Sequence, residues 1–331
     1  MAASRIVVIG ASSGGIDALR TIAADLPAAF PAPICVVLHL GAESPGIVPE
    51  ILTRAGKLAA IHPRDKQPLA PGRIYVAPPD RHLLVEPGRI RITRGPKENR
   101  FRPAIDPLFR SAAQVFGPAA IGVILTGNLD DGVSGLWTIK QLGGIAVVQD
   151  WNDALFPSMP AQAAHHVAVD YSVPLHQMGG LLTQLSTTAP GGRAPEVDAM
   201  LGLEVVIAKN EPPARPKEAM IGPPSVFTCP ECHGVLMRFD EGGRRRFRCH
   251  TGHAYSRESL LTSIDESIQS ALDNALRSLE EGQMLIDEML AAPRQAGETG
   301  PMEVRLDRAK SHAATMRELI DDWEGIAGVD R

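Results

Sequence analysis

Aromatic side chains make up only 4% of this 331-residue chain, so any core must be built from Val, Ile, Leu and Ala. No apolar run approaches the ~18 residues that a membrane-crossing helix needs. The apolar start at residues 6–9 is too short for the hydrophobic part of a secretion signal. Both absences predict a cytoplasmic protein with no membrane insertion. Charge of one sign is also lacking: 33 Lys and Arg against 38 Asp and Glu give a net charge of -5, which argues against broad nucleic-acid binding. The one basic run, Arg244-Arg245-Arg246, reads as a solvated hairpin. Cysteine is scarce, with four residues. Three of them are clustered, and in a reducing compartment that points to metal before disulfide.

What is present is a 44% apolar composition in a chain long enough for two or three units. Short Val/Ile runs recur at residues 6–9, 34–38, 121–125 and 145–148, separated by Ala-rich stretches of helical spacing such as Ile16, Ala18, Leu19, Ile22 and Ala23. Doubly apolar strands alternating with helices predict an α/β fold with a doubly wound, largely parallel sheet. Residues 73–76, 83–86 and 90–93 are expected as a small antiparallel excursion at one edge. Residues 189–224 hold seven prolines and read as a linker with one short element near 200–208. Cys and His then cluster in residues 225–256. From 257 to 326 two amphipathic stretches predict an antiparallel helical pair. The expected division is therefore 1–188, 189–224, 225–256 and 257–326.

The first strand runs into Gly10-Ala11-Ser12-Ser13-Gly14, a G-x-S-x-G turn that exposes a hydroxyl beside a helix N-terminus. Dinucleotide-binding folds also begin with a glycine-rich turn. Such a site wants an acidic residue ending the second strand, and here that strand ends in His39. A short-chain dehydrogenase needs Tyr-x-x-x-Lys, and Tyr75, Tyr171 and Tyr255 are followed four residues later by Pro79, Leu175 and Ser259. His39 should share the carboxyl edge of the sheet with Ser12. A further strand delivers Asn128-Leu129-Asp130-Asp131-Gly132 to the same edge. A carboxylate there could orient the imidazole or cap the following helix, and spacing does not separate Asp130 from Asp131.

Over residues 4–188 the chain resembles the CheB-type protein-glutamate methylesterases of bacterial chemotaxis. The resemblance rests on Gly10-Ala11-Ser12-Ser13-Gly14-Gly15, the His39 strand end and Gly122-Val123-Ile124-Leu125-Thr126-Gly127 with its Asp-Gly turn. Asn99-Arg100-Phe101-Arg102-Pro103 with Asp106, Tyr75-Val76-Ala77-Pro78 and Met159-Pro160 reinforce it. It implies Ser12 as nucleophile, His39 as base, Asp131 as acid and the backbone N–H groups of Ser13 and Asn128 as the oxyanion hole. It also implies hydrolysis of glutamate γ-methyl esters on receptor cytoplasmic helices, with methanol released and glutamine deamidation as a second activity. Two departures stand out. The esterase-like region begins near residue 4, where family members carry a receiver domain, so that switch is expected to be absent. The turn Asn128-Leu129-Asp130 stands where the familiar form is Met-Gly-Asn.

Cys229-Pro230-Glu231-Cys232 and, sixteen residues on, Cys249-His250-Thr251-Gly252-His253 flank a hairpin pattern. This is the spacing of a zinc ribbon with one structural zinc per chain. His253 is the preferred fourth ligand, with His250 and His233 as alternatives; no cofactor is expected for catalysis. The helical pair beyond is a candidate surface for a signalling partner. The competing class is a catalytically silent adaptor that binds partners through the zinc module and helices.

Overall fold

Strands apolar along their whole length have two faces to cover, and this chain covers them with helices wound on both sides. The computed structural model describes residues 5–192, 196–211, 222–291 and 300–327. In chain order the first elements are β1 (Ile6–Ala11), α1 (Gly15–Asp25), β2 (Ile34–Leu38), α2 (Val48–Ala55), β3 (Ala59–Ile61) and β4 (Arg73–Val76). There follow β5 (His82–Glu86), β6 (Arg89–Thr93), α3 (Ile105–Phe116), β7 (Ala120–Ile124), α4 (Val133–Gln141), β8 (Ile145–Gln149), α5 (Ser158–His166), β9 (Tyr171–Val173) and α6 (Leu175–Thr187). The main sheet is seven-stranded in the order β3-β4-β2-β1-β7-β8-β9, with parallel pairing throughout.

Alternation along β1 divides the core. Ile6 and Val8 join the cluster that includes Ile105, Phe109 and Leu136 of α3 and α4. Val7 and Ile9 join the cluster that includes Leu19, Ile22 and Leu182 of α1 and α6. The expected parallel α/β sheet is what forms.

One expectation needs correction. Residues 73–76 are not part of the antiparallel excursion, because β4 pairs parallel with both β2 and β3. Tyr75 is buried toward one core cluster and Ile74 and Val76 toward the other, so this strand is covered on both faces. Of the three segments, just β5 and β6 pair antiparallel, as a separate two-stranded sheet.

The short element expected near 200–208 is α7 (Ala199–Ala208). Its Leu201 and Val205 enter the core cluster and its Glu204 is fully buried. The rest of the proline-rich stretch falls partly on residues 193–195 and 212–221, outside the described residues. Next come β10 (Pro224–Thr228), β11 (Val235–Glu241), β12 (Arg244–Cys249) and β13 (Ala254–Ser256). They form a four-stranded antiparallel sheet.

These strands belong to the same compact unit as the main sheet, Met1–Ser259. The basic run does lie in a hairpin, β11 with β12, but is not solvated throughout: Arg246 is 1% exposed, and Arg248, two residues beyond the run, is 0% exposed. They enter a buried cluster with Arg110 of α3. Arg110 pairs with Glu98 and, at 2.9 Å, with Glu204. Arg248 reaches Glu204 at 2.7 Å, and Arg246 reaches Glu241 at 3.0 Å and Glu98 at 3.4 Å. Buried guanidinium groups persist only when matched by carboxylates; alternate positions of β12 send Arg246 and Arg248 inward, where Glu98, Glu204 and Glu241 match them.

The second unit, Leu260–Arg331, consists of most of α8 (Arg257–Ala291) and α9 (Gly300–Ala327). Arg317 to Glu280 at 2.6 Å and Gln283 to the Ala309 carbonyl at 3.1 Å show that the helices run antiparallel. The connection falls mostly on residues 292–299, outside the described residues. Among the described residues no helix is long and apolar enough to cross a membrane.

Burial alone would raise the Glu98 carboxyl, but Arg110, Arg248 and Arg246 outweigh it and hold it far below the ordinary range. A carboxyl depressed in the folded state stabilises the fold above its unfolded value near about 4 and loses that contribution as pH falls toward the native value. The melting temperature should therefore drop steadily as pH is lowered beneath about 4. Glu98→Gln should cost about 3–5 kcal/mol at neutral pH and flatten that acid dependence. Thermal melts across pH check both.

Candidate active site

In a parallel sheet the carboxyl ends of the strands share one edge, where open α/β folds place their ligands. Here β1, β2 and β7 are adjacent, so Ser12, His39 and the turn after β7 converge. The turn after β1 is pinned by Ser12 N–H donating to the Thr126 carbonyl at 3.0 Å and Leu125 N–H to the Gly10 carbonyl at 2.9 Å. Gly14 has φ of +73°, which glycine adopts without strain. Gly127 is required by proximity, since a Cβ there would lie 2.8 Å from the Cβ of Ser12.

Ser12 Oγ lies 3.1 Å from His39 Nδ1, and His39 Nε2 lies 2.8 Å from Asp131 Oδ2. With its proton on Nε2, the ring donates to Asp131 and accepts from the Ser12 hydroxyl. The two nitrogens are used in the opposite sense to a chymotrypsin-type triad. The His39 side chain is 3% exposed and that of Asp131 is 2% exposed, while Ser12 is half-buried. Phe101 stacks on His39, with ring centroids 3.7 Å apart and planes 8° from parallel.

The choice between the neighbouring aspartates, open from spacing alone, is resolved by their contacts. Asp130 accepts from Ser256 Oγ at 2.8 Å and pairs with Arg244. Asp131 faces the imidazole. Its Oδ2 also accepts from Ile105 N–H at 2.7 Å. Its Oδ1 accepts from Asn99 Nδ2 at 2.9 Å, Gly132 N–H at 3.0 Å and Asp106 N–H at 3.4 Å. Burial would raise the Asp131 carboxyl, but His39, the Ile105 N–H and the Asn99 amide hold it below its ordinary value. Asp106 goes the other way, pushed up by burial and then by the charge of Asp131.

Ser13 and Asn128 line the same cleft of about 530 Å³ as Ser12, His39, Lys97, Arg100 and Arg102. The site can therefore hold a hydroxyl beside a base and brace that base with an anion. Sequence reasoning assigned no role to Asn99, Phe101 or Ser256. Asn99 and Phe101 stood within a quoted motif, but only the fold brings them to Asp131 and His39.

The second cluster unites Cys229, Cys232, Cys249 and His253, whose ligand atoms all lie within 4.8 Å of one another; His233 and His250 are outside it. A tetrahedral zinc with bonds of about 2.3 Å to sulfur and about 2.0 Å to nitrogen puts its ligand atoms roughly 3.6–3.8 Å apart. Cys232 Sγ to Cys249 Sγ, Cys229 Sγ to His253 Nδ1 and Cys249 Sγ to His253 Nδ1 are each 3.6 Å. The cluster could hold a metal ion, and its donor set suits one.

A family model described as CheB methylesterase matches residues 7–182, which include Ser12, His39 and Asp131. A "putative protein-glutamate methylesterase/protein-glutamine glutaminase" of Leptospira interrogans is 41% identical over 180 residues, 54% of this chain and 93% of that protein. A protein-glutamate methylesterase/protein-glutamine glutaminase of a group 3 operon in Bradyrhizobium diazoefficiens is 38% identical over 178 residues, 53% of this chain and 49% of that protein. The chain thus spans about half the length of the latter. The crystal structure of the Thermotoga maritima CheB methylesterase catalytic domain superposes with a TM-score of 0.53 at 32% identity, covering 55% of this chain and 98% of that one. Because the matched region spans more than half of the sequence and holds the strand ends that carry the site, this chain belongs to the CheB methylesterase family.

Proposed function

We propose that this chain is a protein-glutamate methylesterase acting on receptor cytoplasmic helices, with deamidation of glutamine as a companion activity. The observation that carries the reading is the Ser12 hydroxyl 3.1 Å from an imidazole that is itself 2.8 Å from a buried carboxylate. Ser12 Oγ attacks the ester carbonyl carbon while His39 Nδ1 takes the hydroxyl proton. Asp131 stabilises the resulting imidazolium. The backbone N–H groups of Ser13 and Asn128 receive the oxyanion. As the tetrahedral intermediate collapses, the methoxy group leaves as methanol with the proton from His39. Water then gives a proton to His39 and attacks the acyl-enzyme. The product is a glutamate carboxylate, and Ser12 recovers its proton. For a glutamine side chain the leaving group is ammonia.

Lys97, Arg100 and Arg102 at the cleft suit a substrate helix that carries carboxylates beside its methyl esters. Such a substrate implies a cytoplasmic location. In this reading residues 1–188 are the esterase, 189–224 a linker, 225–256 a zinc ribbon and 257–326 a helical pair. The exposed Leu285, Val304 and Leu319 of the pair offer a signalling partner its contact. The zinc is structural: three thiolates and one imidazole leave no open position for substrate.

Ser12→Ala should lower methanol release from a methyl-esterified receptor fragment by on the order of 10⁶ and abolish labelling by a fluorophosphonate. Near-normal turnover of that variant would end the proposal. Asp131→Asn should keep the fold and lower the rate by about 10⁴, because the amide disturbs the proton arrangement of the imidazole. Steady-state kinetics measures the loss. Metal analysis of protein purified without chelators should find one zinc per chain, and Cys249→Ser should lose it together with much of the roughly 10–16 kcal/mol such a site contributes to a small module. Finding no metal in the unaltered chain refutes the zinc assignment.

A further inference from the structure

The loop from Glu98 to Phe101 touches the triad twice. Phe101 covers one face of the His39 ring, and the Asn99 amide donates to Asp131 Oδ1 at 2.9 Å and to Asp106 Oδ2 at 2.9 Å. The loop is tightly folded. Glu98 and Phe101 exchange backbone hydrogen bonds at 3.2 and 2.9 Å. Asn99 and Arg100 both have positive φ, 47° and 79°. Two consecutive non-glycine residues in that region persist only where the surroundings hold them.

The surroundings that hold them are the ribbon. Asn99 N–H donates to the Ala254 carbonyl at 2.8 Å, and Ala254 N–H donates to the Lys97 carbonyl at 3.2 Å, so the start of β13 and the loop share a single parallel bridge, Glu98 to Ala254. Asn99 Oδ1 accepts from Ser256 N–H at 3.0 Å and from Ser259 Oγ at 3.3 Å. A backbone N–H can only donate, so Oδ1 must face the ribbon and Nδ2 must face the two carboxylates. One buried side chain thus joins the last ribbon strand to the acid of the triad. Ser256 Oγ adds a contact to the adjacent Asp130 at 2.8 Å.

β13 in turn starts directly after His253, whose carbonyl accepts from Cys249 N–H at 3.0 Å. The four candidate ligands come from the ends of β10 and β12, the turn between β10 and β11, and the residue preceding β13. A metal bound there ties β13 to the rest of the ribbon.

We propose that Asn99 is a positioning residue for Asp131, and that the metal-bound ribbon holds it in place through β13, so that metal occupancy sets how well the triad is assembled. This rests on the esterase reading but reaches beyond it, because it makes the ribbon a control element of a site to which it gives no catalytic group. A chain stripped of metal keeps the pairing of β13 with β12 but loses the tie at the residue before it, so the loop relaxes from its strained backbone, and Asp131 and His39 lose two of their constraints together.

The test uses the full chain, fluorophosphonate labelling of Ser12 and hydrogen exchange. Removing zinc with a chelator should speed exchange at the Asn99 and Phe101 amides while the β1 amides stay protected. It should also lower the limiting labelling rate by at least about tenfold with little change in the half-saturating probe concentration, the scale set by losing a hydrogen bond to a charged group. Zinc restored to the chain should recover both. Metal loss that leaves the loop amides and the labelling rate unchanged overturns the proposal. Asn99→Gly tolerates the same backbone and keeps the metal ligands, so it carries the test even if stripping opens the whole unit. It should retain its zinc yet show the same fall in limiting rate, and an unaltered rate again overturns the proposal. An unaltered chain that fails to label at Ser12 sinks the esterase reading instead, so the two failures are distinguishable.

Discussion

Asp131 is an anion kept almost out of water, and the site is organised around satisfying it. Five donors converge on its two oxygens: the His39 ring, the N–H groups of Ile105, Asp106 and Gly132, and the Asn99 amide. They come from the end of β2, the start of α3, the turn before α4 and the loop ahead of α3. Each donor offsets part of the cost of burying the charge. Segments distant in sequence are thereby drawn to one point, and Ser12 is aligned through the imidazole that one of them carries.

The same accounting explains why the ribbon lies against the main sheet. Arg246 and Arg248 on β12 would be costly to bury alone, as would Glu98 and Glu204. Together with Arg110 and Glu241 they form a cluster in which charges of both signs are matched. Apolar packing secures the esterase core. The junction with the ribbon is secured instead by charge matching and by the bridge from β13 to the 98–101 loop, and it reaches Asp130, the neighbour of Asp131.

Much of this was legible in the sequence. Continuous Val/Ile runs announced the parallel strands, and G-x-S-x-G followed by a histidine at the next strand end announced a hydroxyl and an imidazole at one sheet edge. The two Cys/His pairs announced the ribbon. What escaped notice had physical reasons. β3 and β9 are three residues long, too short for any periodicity. β4 was assigned to the wrong sheet because a four-residue apolar strand carries no mark of its pairing direction. Arg244-Arg245-Arg246 looked like a solvated run because alternation in β12, which sends Arg246 and Arg248 inward, becomes meaningful only once acidic partners from four other segments are in view. Asp130 and Asp131 could not be told apart by spacing, since which of two neighbours turns toward an imidazole depends on the strand's final twist.

The parallel stack of Phe101 on His39 limits how that ring can rotate. Turning the imidazole about its Cβ–Cγ bond would put carbon where Nδ1 meets Ser12 and where Nε2 meets Asp131. With the phenyl centroid 3.7 Å away and the planes 8° from parallel, that rotation sweeps the imidazole edge into the phenyl ring. The stack therefore favours the one orientation in which both nitrogens keep their partners.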